Sequence, residues 1–113
     1  MKRKCLFTSL AAITDWPELA RKSRFCVRDV ARKCGVSVRT LQIFFRRHFK
    51  ATPKRLMKMW RQAEAERLLD ARKRASRIWG MLGYRNFAHF CNSFRQARNI
   101  TPGRWRFRRW FRG

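Results

Sequence analysis

An all-α chain of about seven helices, forming two helix-turn-helix subdomains joined by a long helix, is what the sequence predicts. Three observations carry this. A pattern is written twice: Gly35-Val36-Ser37, Leu41, Phe45-Arg46, Thr52-Pro53, and then Gly83-Tyr84-Arg85-Asn86, Phe90, Phe94-Arg95, Thr101-Pro102. Apolar residues recur at helical spacing, and nothing alternates as a strand before Arg104. Glycines and Thr-Pro pairs punctuate the segments where short helices would stop and restart.

The elements follow in order. Residues 1–13 carry no strong period and read as a basic arm. Their start, Met1-Lys2-Arg3-Lys4-Cys5-Leu6-Phe7, has the charge of a signal-peptide n-region, but Thr8, Ser9 and Asp15 interrupt the apolar stretch that would have to follow. Residues 14–52 form the first subdomain. Asp15 caps a short helix to Lys22, with Pro17 in its first turn and Leu19 and Ala20 packing. Val27, Val30, Ala31 and Cys34 give the second helix one apolar stripe, and Gly35 ends it. Ser37 caps a third helix, Val38 to Phe49, which buries Leu41, Phe44, Phe45 and Phe49. Thr52 and Pro53 start the linker helix of residues 53–70, with Leu56, Met57, Trp60, Ala65, Leu68 and Leu69 as its apolar surface. Residues 71–106 form the second subdomain. A helix over Ser76 to Leu82 turns Ile78 and Leu82 inward. Asn86 caps a sixth helix burying Phe87, Phe90, Cys91 and Phe94, and Thr101-Pro102 opens a short seventh element around Trp105. Residues 107–113 are a tail rich in arginine and aromatic residues.

Composition narrows the function. Thirty Lys and Arg stand against six Asp and Glu, a net charge of +24 in 113 residues. Such a chain repels itself unless it meets an anionic partner. Nucleic acid is the first candidate, because Lys and Arg release its condensed counterions. No segment is long and apolar enough for a bilayer span. Cys5, Cys26, Cys34 and Cys91 have neither C-x-x-C nor Cys/His spacing, so no metal site is expected. Cys34 and Cys91 fall at apolar positions, where a reduced thiol acts as a small hydrophobe. Glu64 and Glu66, two apart on a helix, point to different faces and cannot act as a carboxylate pair. No nucleophile motif and no phosphate-cradling glycine loop occurs, so neither a catalytic residue nor a cofactor is expected.

The arrangement resembles the DNA-binding domain of AraC/XylS-type bacterial transcription regulators over about residues 25–106. The resemblance rests on Val30-Ala31, Gly35-Val36-Ser37, Leu41, Phe45-Arg46 and Thr52-Pro53, and on Arg61, Ala65 and Leu68-Leu69 in the linker. It continues through Ile78, Leu82-Gly83-Tyr84, Phe90, Phe94-Arg95, Ile100-Thr101-Pro102 and Trp105-Arg106. The chain departs from the family at four places. Lys50 and Asn99 stand where the family has glycine after each recognition helix. Cys26 replaces a serine-like cap. Trp79 occupies an alanine position where two helices approach closely, which suggests that Gly80 takes the close-contact place through a one-residue shift.

The resemblance implies that Arg39, Gln42 and Ile43 touch base edges. Their chemistry agrees, since arginine pairs with guanine, glutamine with adenine, and an apolar side chain with the thymine methyl. In the second recognition helix the outward residues Ala88, His89 and Asn92 are likewise expected to touch bases: Asn92 suits adenine, and His89 can donate to a base or phosphate. Backbone contacts are expected from Ser37, Arg46, Arg47, Lys54, Arg55, Asn86, Arg95 and Arg98, which lie near helix ends. His48, late in the third helix, is expected to pack or meet a phosphate. The implied function is sequence-specific binding of double-stranded DNA for transcription regulation, in the cytoplasm on the nucleoid. One chain would read two major-groove segments about 34 Å apart. No homodimer, membrane or cofactor is required, and RNA polymerase is a further candidate partner. The alternative is a nonspecific cationic protein that compacts nucleic acid or acts on membranes.

Overall fold

The computed structural model describes residues 10–111, with side chains through Arg108. Expectations for Cys5 and the rest of residues 1–9, for the side chains of Arg109, Trp110 and Phe111, and for Arg112 and Gly113 lie outside the described residues. Seven helices follow Asp15: α1 (Trp16–Lys22), α2 (Val27–Cys34), α3 (Val38–Phe49), α4 (Pro53–Asp70), α5 (Ala75–Ile78), α6 (Phe87–Arg98) and α7 (Pro102–Phe111). No strand occurs among the described residues. The chain is all-α.

Local chemistry sets most helix boundaries. The Asp15 carboxylate accepts from the Glu18 amide at 3.1 Å, Ser37 Oγ from Thr40 at 3.0 Å and Asn86 Oδ1 from His89 at 2.8 Å. Thr52 and Thr101 do the same for Arg55 and Arg104, each at 3.2 Å. Each satisfies an amide that the helix leaves without a partner. Cys26 stands at the start of α2 and makes no side-chain cap, as its chemistry predicts.

Helix ends divide by residue type. Gly35 stops α2 at φ +72°, with the Val36 amide donating to the Ala31 carbonyl and the Gly35 amide to Arg32, a Schellman closure. Gly83 does the same at φ +83°, with Tyr84 bonded to Trp79 and Gly83 to Gly80. Arg24 and Arg72 close α1 and α4 in the same pattern at φ +54° and +68°. Lys50 and Asn99 end α3 and α6 in the left-handed region at +57° and +62°. A side chain with a Cβ is strained there, and asparagine tolerates it best. Lys50→Gly should therefore raise the denaturation free energy by about 1 kcal/mol. Asn99→Gly should gain less. Chemical denaturation of the two variants checks the ranking.

The chain divides into two compact units at Trp60 and Arg61, inside α4. The first has an aromatic centre. Trp16 meets Phe45 edge-on at 4.8 Å and Phe49 at 6.3 Å, and Phe45 meets Phe49 at 4.9 Å and Trp60 at 6.4 Å. Leu10, Ala20, Phe25, Val30, Ala31, Leu41, Phe44 and Met57 are buried in the same unit. Leu10 is fully buried, although the sequence places it in an arm. In the second unit Ala65, Leu68, Leu69, Ile78, Leu82, Tyr84, Phe90 and Phe94 are buried. Phe94 meets Phe90 at 6.0 Å and Trp105 at 5.7 Å. Each half of α4 thus serves the core of its own unit. Burial pushes the Cys34 and Cys91 thiols above their ordinary range, as expected for small hydrophobes.

Four local expectations are corrected. The helix predicted over Ser76 to Leu82 runs only over Ala75–Ile78, and turns follow to Gly83. Gly80 interrupts the ladder, since glycine costs about 1 kcal/mol of helix relative to alanine. Nor is Gly80 a close-contact point: a Cβ placed there meets nothing within 4 Å. Trp79 is half-buried at the C-cap of α5, its backbone still helical. Phe87 and Phe49, expected inside, are 42% and 39% exposed. Both sit at helix termini, where the inner face runs out. Finally, α7 continues through Phe111, well beyond a short element at Trp105, because no glycine or proline follows Gly103 until the last residue.

Candidate nucleic-acid interface

The first unit presents α3 as the second helix of a helix-turn-helix. Leu41, Phe44 and Phe45 anchor its inner face. At 100° per residue the opposite face carries Arg39, Ile43 and Arg46, with Gln42 and Arg47 on its flanks. All five are exposed, Ile43 to 41%. Ser37 sits at the N-terminus with its hydroxyl committed to Thr40, donating to Oγ1 at 3.0 Å and accepting from the amide. His48 is a packing residue: its ring stacks on Phe44 at 4.0 Å and its Nδ1 lies 3.1 Å from the Phe44 carbonyl. Lys54 and Arg55 are exposed in the first turn of α4.

The second unit repeats the device with α5, a longer turn, and α6. Phe90 and Phe94 anchor α6, and Ala88 and Asn92 form its outward stripe. Arg95 borders that stripe on one side, with Cys91 beyond it, while Phe87 lies on the inner side with Phe90 and Phe94, exposed at the end of the helix. His89 borders it on the other, its ring edge-on to Tyr84 at 5.3 Å. Tyr84 itself donates to Ser93 Oγ at 3.2 Å, and the Arg61 guanidinium covers its ring at 4.2 Å. The six residues expected to touch bases and Arg46, Arg47, Lys54, Arg55 and Arg95 are all exposed, but Arg98 is engaged inside its unit.

Arg98 grips Glu66 with two hydrogen bonds, Nε to Oε2 at 2.5 Å and Nη2 to Oε1 at 2.8 Å, and lies 5.3 Å from the Trp105 ring. It fastens α6 to α4 and α7. Trp105 Nε1 in turn donates to Asp70 at 3.3 Å, and Arg106 Nη2 to the Arg72 carbonyl at 3.1 Å. Burial opposes ionisation of Glu66, but the bonds from Arg98 and Gln62 outweigh it and hold its carboxyl below the usual range. A depressed folded-state pKa contributes stability above the unfolded value of about 4.3 and loses it as pH falls through the folded value. Glu66→Gln should therefore cost about 1 kcal/mol near neutrality, a figure reduced for the half-exposed Arg98. The difference from wild type should vanish once the wild-type carboxyl is protonated. Denaturation curves of both proteins across the acid range test this, and a constant difference would refute it.

Among the described residues no cluster of three metal-ligating side chains occurs, and no helix is long and apolar enough to cross a membrane. A helix-turn-helix domain family matches residues 30–109, which takes in both helix-turn-helix units. The chain belongs to the AraC/XylS-type helix-turn-helix family of DNA-binding transcription regulators. Family membership makes this a DNA-binding domain rather than an enzyme. The chain is 29% identical over 92 residues to a "Probable thc operon regulatory protein" of Rhodococcus erythropolis. That stretch covers 78% of this chain but 28% of that relative's length. The fold is similar to a crystal structure of an AraC-type transcriptional regulator from Chromobacterium violaceum, with a TM-score of 0.66 and 24% identity over 98% of this chain and 96% of that one.

Proposed function

We propose that one chain binds duplex DNA sequence-specifically, with α3 and α6 entering successive major-groove segments. The observation that carries this is the exposure of Arg39, Gln42 and Ile43 on α3 and of Ala88, His89 and Asn92 on α6. N-terminal residues of a recognition helix are those that meet base edges. Arg39 suits guanine O6 and N7, while Gln42 and Asn92 suit adenine N6 and N7. Arg46, Arg47, Lys54, Arg55 and Arg95 supply phosphate contacts, which fix register without reading sequence. The exposed Arg108 on α7 adds affinity of the same nonspecific kind. Both heads belong to one chain, so the site is asymmetric and no homodimer is needed. RNA polymerase is the partner through which a chain bound on the nucleoid would act.

The test begins with selection of bound duplexes from a random pool. One asymmetric sequence should emerge, occupied by one chain per duplex in sedimentation. On it, Arg39→Ala and Gln42→Ala should each cost about 1–3 kcal/mol and relax preference at a single base position. Equal weakening on selected and random DNA would reduce these residues to backbone contacts. A pool that yields no preferred sequence would favour nonspecific compaction instead.

A further inference from the structure

We propose that a surface groove between α7 and the turn before it docks an acidic segment of a partner protein. An apolar side chain of that segment sits against Ile100 and Phe107, and its carboxylates meet Arg104 and Arg108. The proposal stands apart from how the chain reads DNA. Ile100, Arg104, Phe107 and Arg108 line the groove, whose volume is about 340 Å³. All four belong to the second unit. The two sides of α7 differ in their surroundings. Trp105 turns inward against Phe94, and Phe107 lies about 160° around the helix from it. Phe107 is accordingly 58% exposed. A lone exposed ring on a surface is ordinary. Here the ring forms one wall of a concavity, half-buried Ile100 forms another, and two exposed arginines stand beside it one helical turn apart.

Charge decides the occupant. Neither Arg104 nor Arg108 pairs with an acid among the described residues, because the acids are used elsewhere. All six acids of the chain are engaged within it: Asp15 as a cap, Asp70 with Trp105, and Glu18, Asp29, Glu64 and Glu66 with arginines. A second copy of the chain therefore has no carboxylate to offer, and at +24 two copies repel each other. The complementary charge must come from another molecule. Duplex DNA would satisfy the guanidiniums, but the phosphates they suit bring no apolar group into the groove. A segment with leucine or phenylalanine among its carboxylates satisfies both features. Its acids form charge-assisted hydrogen bonds with the arginines, and its apolar side chain leaves water against Ile100 and Phe107.

The test is fluorescence anisotropy on the whole chain without DNA, because Arg108 is also among the phosphate contacts proposed above. Two short labelled peptides of equal charge serve as probes. One carries leucine and phenylalanine among glutamates, and its twin has serine at both places. The apolar peptide should bind about tenfold tighter, the ratio for about 1.4 kcal/mol of side-chain burial. Phe107→Ala should remove most of that preference. Arg104→Ala should weaken the apolar peptide about threefold, as for an exposed ion pair. Arg28→Ala, which removes an equal charge from the exposed surface of α2, should leave its binding nearly unchanged. Amide shifts caused by the apolar peptide should cluster at Ile100 and along α7, a readout that needs no variant to fold. The proposal is overturned if the twins bind alike, if Phe107→Ala keeps the preference, or if the shifts cluster on α3. It is equally overturned if a thymidylate oligomer of the same charge shifts the same amides and binds tighter, which would assign the groove to single-stranded nucleic acid. DNA reading by α3 and α6 would survive each of these results.

Discussion

Affinity of the chain for its selected duplex should fall roughly 10³-fold between 50 and 200 mM salt, if about six phosphates are neutralised. The motivation is a net charge of +24 with basic side chains exposed on and beside both recognition helices. Each phosphate contact releases condensed counterions, and the entropy of that release shrinks as bulk salt rises. Removing one phosphate-contacting charge should lower the slope of log affinity against log salt by about 1. Arg46→Ala, Lys54→Ala and Arg95→Ala should each do so. Arg98→Ala should not, because its guanidinium is already held by Glu66. It should instead lower thermal stability without DNA. Binding that ignores salt, or an Arg98→Ala slope indistinguishable from that of Arg46→Ala, would break this assignment of charges.

The contrast between Arg46 and Arg98 shows what could be read from the sequence. Features decided within about five residues were legible. The Asp15, Ser37 and Asn86 caps, the Gly35 and Gly83 stops and the Phe45 and Phe94 anchors all rest on local chemistry or helical period. The exposed positions of α3 followed from the same period, because Leu41, Phe44 and Phe45 fix its inner face. Arg98 could not be placed this way, since its partner Glu66 lies 32 residues away and no local pattern links them. Trp16 was missed for the same reason: the local pattern of its helix pointed to Leu19 and Ala20 as the packing residues, yet tertiary packing puts Trp16 against three phenylalanines. Phe87 shows the opposite error. Apolar identity suggested burial, but its place at the end of α6 leaves one side uncovered. Period assigns a residue to a face; it does not say how far along the helix the covering element extends.

Phe94→Ala should unfold the second unit at ambient temperature while leaving the first folded. The Phe94 ring is fully buried and touches both Phe90 and Trp105, so its removal strips contacts from two helices at once. Truncating a buried phenylalanine costs about 3–5 kcal/mol. Whole domains are stable by only about 5–15 kcal/mol, and small ones fall at the low end because they bury a smaller share of their surface. The second unit begins at Arg61 and has little reserve against such a loss. The first unit has its own centre in Trp16, Phe44, Phe45 and Phe49. Amide spectra should therefore keep dispersed signals for α1 to α3 and lose them for α5 to α7. The second half of α4 should fray, because Ala65, Leu68 and Leu69 lose the core they serve. Binding should weaken to the level of one head, with preference kept only at the positions read by Arg39 and Gln42. Loss of every dispersed signal together would show instead that the two units fold as one. A variant that stays fully dispersed and merely melts a few degrees lower would show that the second core tolerates the cavity.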